Sequence, residues 1–292
     1  MAKERKLVVS GLNIVTHPHS PEGYVELLKM AYRMKQSVSI RTTQRLMIGE
    51  LRPLSKSQGM IGGMFGRIYR FDQIDPDAPW FNVERNDVAT VDEMAAIAIP
   101  DDLKPNLMMF DFIFYPHGHK FYFTSKHNKS TLSPQALVKL FSYLFTAAKI
   151  VHEFGKVELT VIPDRAQLNK ILSIPRLTKL TIDVIRPNPD DNTDDEEEVF
   201  RRLHAQSARR ITQVLTAEPH ESIKPDNDTA LLAKVAAHNG KVVAIGYTTR
   251  GQRIEESTVD KPWRELVKYD PNYQTEYDAL AAYTSSLSHG RS

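Results

Sequence analysis

Apolar residues crowd the run Lys6–Val15, which reads as a strand closed by His17-Pro18. Ser20-Pro21-Glu22-Gly23 then opens a helix, with Ser20 as N-cap and Pro21 at the first helical position. Tyr24, Leu27, Leu28 and Ala31 recur at three- and four-residue spacing and form its apolar stripe. Arg45–Leu51 and Gly66–Phe71 read as strands on either side of a glycine-rich loop from Ser55 to Met64.

Further on, Leu107–Tyr115 and Lys120–Thr124 flank Pro116-His117-Gly118-His119, a hairpin by its turn chemistry. Ser133-Pro134 starts a second helix, whose apolar face is predicted to run from Leu137 through Ala148 to Val151. Lys156–Ile162 reads as a strand, Asp164–Leu172 as a helix capped by Asp164, and Leu177–Ile185 as another strand. The acidic run from Asp190 leads into a helix predicted over 196–216, and Lys241–Thr249 with Gln252–Val259 forms a last hairpin. The polar tail Thr284–Ser292 is expected to fray. Strands and helices interleave without a βαβ rhythm, so the expected class is α+β, with mixed, mainly antiparallel sheets and packed helices.

A chain of 292 residues is long enough for two compact units. The expected division is a basic N-terminal α+β domain at 1–130 and a C-terminal α+β domain at 131–292. Cysteine is absent, which removes disulfides, Cys-ligated zinc and thiol nucleophiles together. The N-terminus is basic but has no long apolar stretch, and no run approaches the length of a membrane span. A soluble, cytoplasmic protein is the expectation. No motif identifies a reaction, so no catalytic residue, metal ligand or cofactor is assigned.

Charge changes that picture. Residues 1–70 hold 12 Lys/Arg against 4 Asp/Glu, a balance of about +8, within a chain whose total is only +2. Between Phe71 and Phe112 the balance reverses, with 10 Asp/Glu against 2 Lys/Arg. A segregated positive face attracts phosphate, which points to an anionic partner.

The candidate phosphate contacts are Arg45, Arg52, Lys56, Arg67 and Arg70 on the first hairpin, with Arg202 and Arg209 seven apart on the later helix. Lys29, Arg33, Lys35 and Arg41 belong to the wider basic set. Strand alternation opposes Arg45 to Arg52 and Arg67 to Arg70 unless a bulge re-aims one. Arg52 and Arg67, nearest the glycine-rich tip, are the expected pair. The alternative is a solvated surface whose cations pair internally with the acidic 71–112 segment.

Other constellations are weaker. Gly59–Gly66 is rich in glycine but lacks the Lys-Ser/Thr of a phosphate loop. His117 and His119 straddle a turn glycine, which reads as a hairpin tip before a metal site. Asp111 with Lys156 and Glu158 would serve a metal-dependent nuclease only if the fold brought them together. The acidic run Asp190–Glu198 lacks the turn glycine of a calcium loop and reads as a solvated loop and helix cap.

The segment from Ile174 to Asp191 resembles the signature stretch of an uncharacterised bacterial and prophage family of domain-of-unknown-function proteins. The resemblance extends through Phe121-Tyr122-Phe123 and returns at Gly240–Arg253 and Glu256–Pro262. More remotely, the order of strand, Pro-containing exit, long helix and hairpin is similar to the temperate-phage exclusion protein RexA. That likeness implies a homodimeric, two-domain DNA-binding protein of phage defence; double-stranded DNA is the expected ligand, and a partner protein encoded nearby is a further candidate. It carries over no catalytic residue. The function expected from sequence is therefore non-catalytic DNA binding through backbone phosphates, without strong sequence readout. A nuclease effector and a protein-interaction subunit of a multi-gene complex are the alternatives.

Overall fold

A computed structural model describes residues 4–289 apart from Pro18, Pro76, Ala98, 128–129 and 187–193. Part of the acidic run, 190–193, thus lies outside the described residues. The fold is α+β, built on two antiparallel sheets.

The larger sheet runs β10 (Glu158–Val161), β1 (Arg5–Val15), β8 (Lys120–His127), β7 (Met108–Tyr115), β4 (Gly59–Asp72), β3 (Gln44–Ser55), β2 (Val38–Ser39). β15 (Glu265–Tyr269) also pairs with β1, and β9 (Ser130–Thr131) with β8. Each strand of β7 and β8 presents alternate residues to opposite faces. Phe110, Phe112 and Phe114 with Phe121 and Phe123 therefore enter one core, beneath α1 (Pro21–Arg33), α3 (Pro134–Phe145) and α4 (Ala148–Phe154). Ile113, Tyr115 and Tyr122 enter the core on the opposite face, with Phe65, beneath α8 (Glu276–His289). Full burial of each such aromatic contributes roughly 1.5–3 kcal/mol relative to exposure. β1 is buried on both faces, which explains why it reads as a nearly continuous apolar run.

The smaller sheet runs β12 (Arg210–Thr216), β11 (Arg176–Ile185), β13 (Gly240–Tyr247), β14 (Arg253–Ser257). Its core, around Leu180, Ile182, Val184 and Val242, also takes residues from α5 (Arg165–Leu172), α6 (Asp194–Ala205) and α7 (Asn227–His238). A small excursion between β4 and β7 carries β5 (Phe81–Asn82), β6 (Asp87–Val88) and α2 (Val91–Ala95). Residue 130 does not mark a break between sheets, since β10 and β15 complete the larger sheet from beyond it.

Several local expectations hold in detail. Ser20 Oγ accepts from the Gly23 N–H at 2.9 Å, and Asp164 accepts from Ala166 at 2.8 Å. Four others are corrected. The glycine-rich stretch is strand, because β4 begins at Gly59 and the turn is confined to 56–58. The helix opened by Ser133 stops at Phe145, where Thr146 Oγ1 bonds the Tyr143 carbonyl and Ala147 turns extended before α4. The helix predicted over 196–216 ends at Ala205. Ser207 then adopts a left-handed φ of 51°, and the alternating Ile211, Gln213, Leu215 pattern forms β12 against β11. Finally, Thr284 is fully buried on α8 and bonded to the Tyr115 hydroxyl at 3.0 Å, so the tail is docked at that position.

Candidate functional site

The first-hairpin arginines are placed by a bulge at Gly49. Register slips between Ile48 and Glu50, so Arg45 faces Phe71 while Arg52 faces Phe65. Both arginines thereby share the face of Arg67, and Arg70 points to the other. The Tyr69 ring occupies the space beside Gly49, 2.2 Å from where a Cβ would stand.

On that shared face the guanidinium groups already have partners. Arg67 donates from Nε to Asp111 Oδ1 at 2.9 Å and from Nη1 to Glu50 Oε2 at 3.0 Å. Its hydrogen bond to Asp111 raises the Arg67 pKa above its ordinary value, with burial opposing. Arg52 bonds Glu50 at 3.1 Å and lies over the Phe65 ring at 4.2 Å. Arg45 donates twice to Ser37, each at 2.8 Å. The pair Arg67–Asp111 is the internal neutralisation by the 71–112 segment that the sequence offered as an alternative. Lys56 is exposed on the 56–58 turn.

Arg202 and Arg209 are not brought together on one helix. Arg202 is exposed on α6, whereas Arg209 precedes β12 and donates to the Lys156 carbonyl. Arg209 also lies 3.5 Å from Glu158, which Lys156 reaches at 2.8 Å and Arg210 at 3.9 Å. Asp111 sits on β7 and Glu158 on β10, with β8 and β1 between them. Three strand spacings, about 14 Å, separate those two strands, so the postulated nuclease triad does not converge. His117 is exposed while His119 is buried, so the two do not share a site.

Arg70 is different. It donates from Nη1 to the Thr131 carbonyl at 2.8 Å and lines a polar cleft of about 500 Å³. Arg41 enters from the β2–β3 turn and Lys139 from α3, while Ser130, Ser133 and Gln44 add polar groups. The N-terminus of α3 opens on the same cleft, and its first turn carries no acidic residue. Burial lowers the Arg70 pKa from its ordinary value, with Asp72 opposing and Arg41 adding to the shift. Three cations and a positive helix end around one space form a site suited to an anion such as phosphate. Arg41 belonged to the wider basic set, but Lys139 carries no sequence signal beyond its place one turn into a capped helix.

A second polar cluster joins the two sheets. Asn13 on β1 donates to Asn239 Oδ1 at 3.0 Å, and Asn239 donates to the buried Glu196 at 2.8 Å. Asn13 Oδ1 bonds His119 Nδ1; because that oxygen only accepts, the His119 proton sits on Nδ1. Burial holds the His119 pKa well below its ordinary value, so the ring is neutral. His17 is lowered to about 4, by burial first and then by Arg186 and Arg209.

A family model described as Domain of unknown function (DUF4747) matches residues 5–285. The chain belongs to this family. The match covers both sheets and the excursion between β4 and β7. No curated protein matches the chain. Among the described residues, no helix is long and apolar enough to cross a membrane, and no three His, Asp or Glu side chains are grouped to hold a metal ion.

Proposed function

We propose that this DUF4747 protein binds double-stranded DNA through backbone phosphates, without catalysis and without strong sequence readout. The supporting observation is the cleft of about 500 Å³ in which Arg41, Arg70 and Lys139 meet the N-terminus of α3. Cations from three separate elements converge there, whereas Arg52 and Arg67 are tied to carboxylates. The proposed contact therefore moves from Arg52 and Arg67 near the hairpin tip to the cleft, where Arg70 is the one member of the hairpin candidate set that lines it.

A mobility shift at two salt concentrations tests this. Arg41→Ala, Arg70→Ala and Lys139→Ala combined should abolish binding while the melting temperature stays within a few degrees. Arg52→Ala with Arg67→Ala should leave affinity nearly unchanged. Binding that survives the triple variant and is lost in the double variant returns the site to the hairpin tip. No binding by the unaltered protein at low salt rejects the reading. The role in phage exclusion rests on the likeness to RexA alone, and plating phage on cells with the wild-type or triple-variant protein tests it.

A further inference from the structure

The excursion at 73–107 is an arm without a core. No described residue from Phe71 to Met109 is buried. Yet Phe81, Val83, Val88, Val91, Leu103 and Leu107 all stand exposed on it, Val83 and Val91 each at 83%. Scattered apolar surface residues are ordinary, but among the described residues most of the large apolar side chains that are more than half exposed fall in this one short segment.

The arm is nevertheless ordered by polar contacts. Glu93 accepts from Asn82 at 2.6 Å, from Arg85 at 2.6 Å and from the Thr90 N–H at 2.7 Å, completing a capping box at α2. Its stem is closed as well, since the Asp72 N–H bonds the Pro105 carbonyl at 3.0 Å and Asn106 bonds Asp72 at 2.8 Å. A segment shaped by polar contacts whose apolar groups face water has the anatomy of half an interface.

Charge points to the occupant. Residues 73–107 hold 8 Asp/Glu against 2 Lys/Arg, so within a chain of net +2 the remaining body carries about +8. The stem rises from the turn that carries Arg41, where the Gln73 N–H bonds the carbonyl of Thr43, two residues further along the chain. We propose that the arm docks on the basic body of a second copy of this chain, in a reciprocal two-fold exchange. A two-fold axis lets each acidic, apolar arm reach its partner's positive face, and the same contact is then made twice. This inference stands on the arm and does not depend on DNA binding.

The test is the solution mass by light scattering, without nucleic acid. The full chain should give twice its 33.2 kDa, and added salt should weaken the dimer. Replacing residues 74–104 by a short Gly/Ser linker should give a monomer with nearly the same melting temperature, because the arm contributes nothing buried and its ends already meet. In the full chain, Val83→Asp with Val91→Asp should weaken dimerisation tenfold or more without unfolding an exposed surface. A monomeric full chain, a dimer that persists without the arm or with both Asp substitutions, or assembly beyond the dimer would each overturn the proposal.

Discussion

Arg67 and Asp111 are joined across the β4–β7 pair by a hydrogen bond of 2.9 Å from Nε to Oδ1. Glu50 holds the other side of the same guanidinium, so Arg67 is the centre of a three-strand charge ladder. Asp111→Ala should lower stability by about 1–2 kcal/mol, the range for a hydrogen bond to a charged group discounted for partial exposure. Arg67→Glu should cost more, because it sets three carboxylates side by side. Urea unfolding measures both, and an Arg67→Glu protein as stable as the wild type would rule out the ladder as a structural element.

DNA affinity should fall steeply with salt. Three phosphates neutralised in the cleft predict a slope of log K against log salt of roughly −3. Each single substitution of Arg41, Arg70 or Lys139 should reduce that slope by about 1 and weaken all sequences alike. Fluorescence anisotropy over a salt series reads this directly, and a flat response excludes phosphate contacts.

Acid should destabilise the fold before its carboxylates titrate. His17, lowered to about 4 by burial with Arg186 and Arg209, and the still more buried His119 are both neutral in the native state. The unfolded chain protonates these rings below about 6.5, so it binds more protons between that pH and 4. Their contribution is fully present above 6.5 and is lost as pH falls toward 4. The melting temperature should therefore drop between pH 7 and pH 5, and His17→Gln should remove part of that drop. Equal melting temperatures for the wild type at the two pH values would contradict this account.

The Asn13–Asn239 bond should be costly to break. Asn13→Ala leaves Asn239 and His119 short of a partner in a buried site, a loss of about 2–3 kcal/mol. Calorimetry should show the lower melting temperature. A neutral substitution would mean that water replaces the lost amide.

The bulge at Gly49 is equally specific. Gly49→Ala would drive a methyl group into the Tyr69 ring and should cost about 1–3 kcal/mol. Relief by a second change, Tyr69→Ala, would confirm the clash; persistence of the loss would assign it to backbone conformation instead.

The sequence by itself determined the local elements. Capping at Ser20 and Asp164, the helix start at Ser133-Pro134, the β7–β8 hairpin and the α+β class follow from short-range rules and appear in the structure. Tertiary structure decided which charges remain available. Alternation along the strand opposes Arg67 to Arg70, but only the register of neighbouring strands hands one to Asp111 and sets the other beside Arg41 and Lys139. It also decided where α6 ends, because the alternating residues after Ser207 find an open edge of β11 to pair with. Pairing energies of that kind depend on neighbours far apart in sequence, so periodicity alone extended the helix too far. The uncovered arm is likewise a tertiary fact: only the fold leaves its valines and leucines facing water.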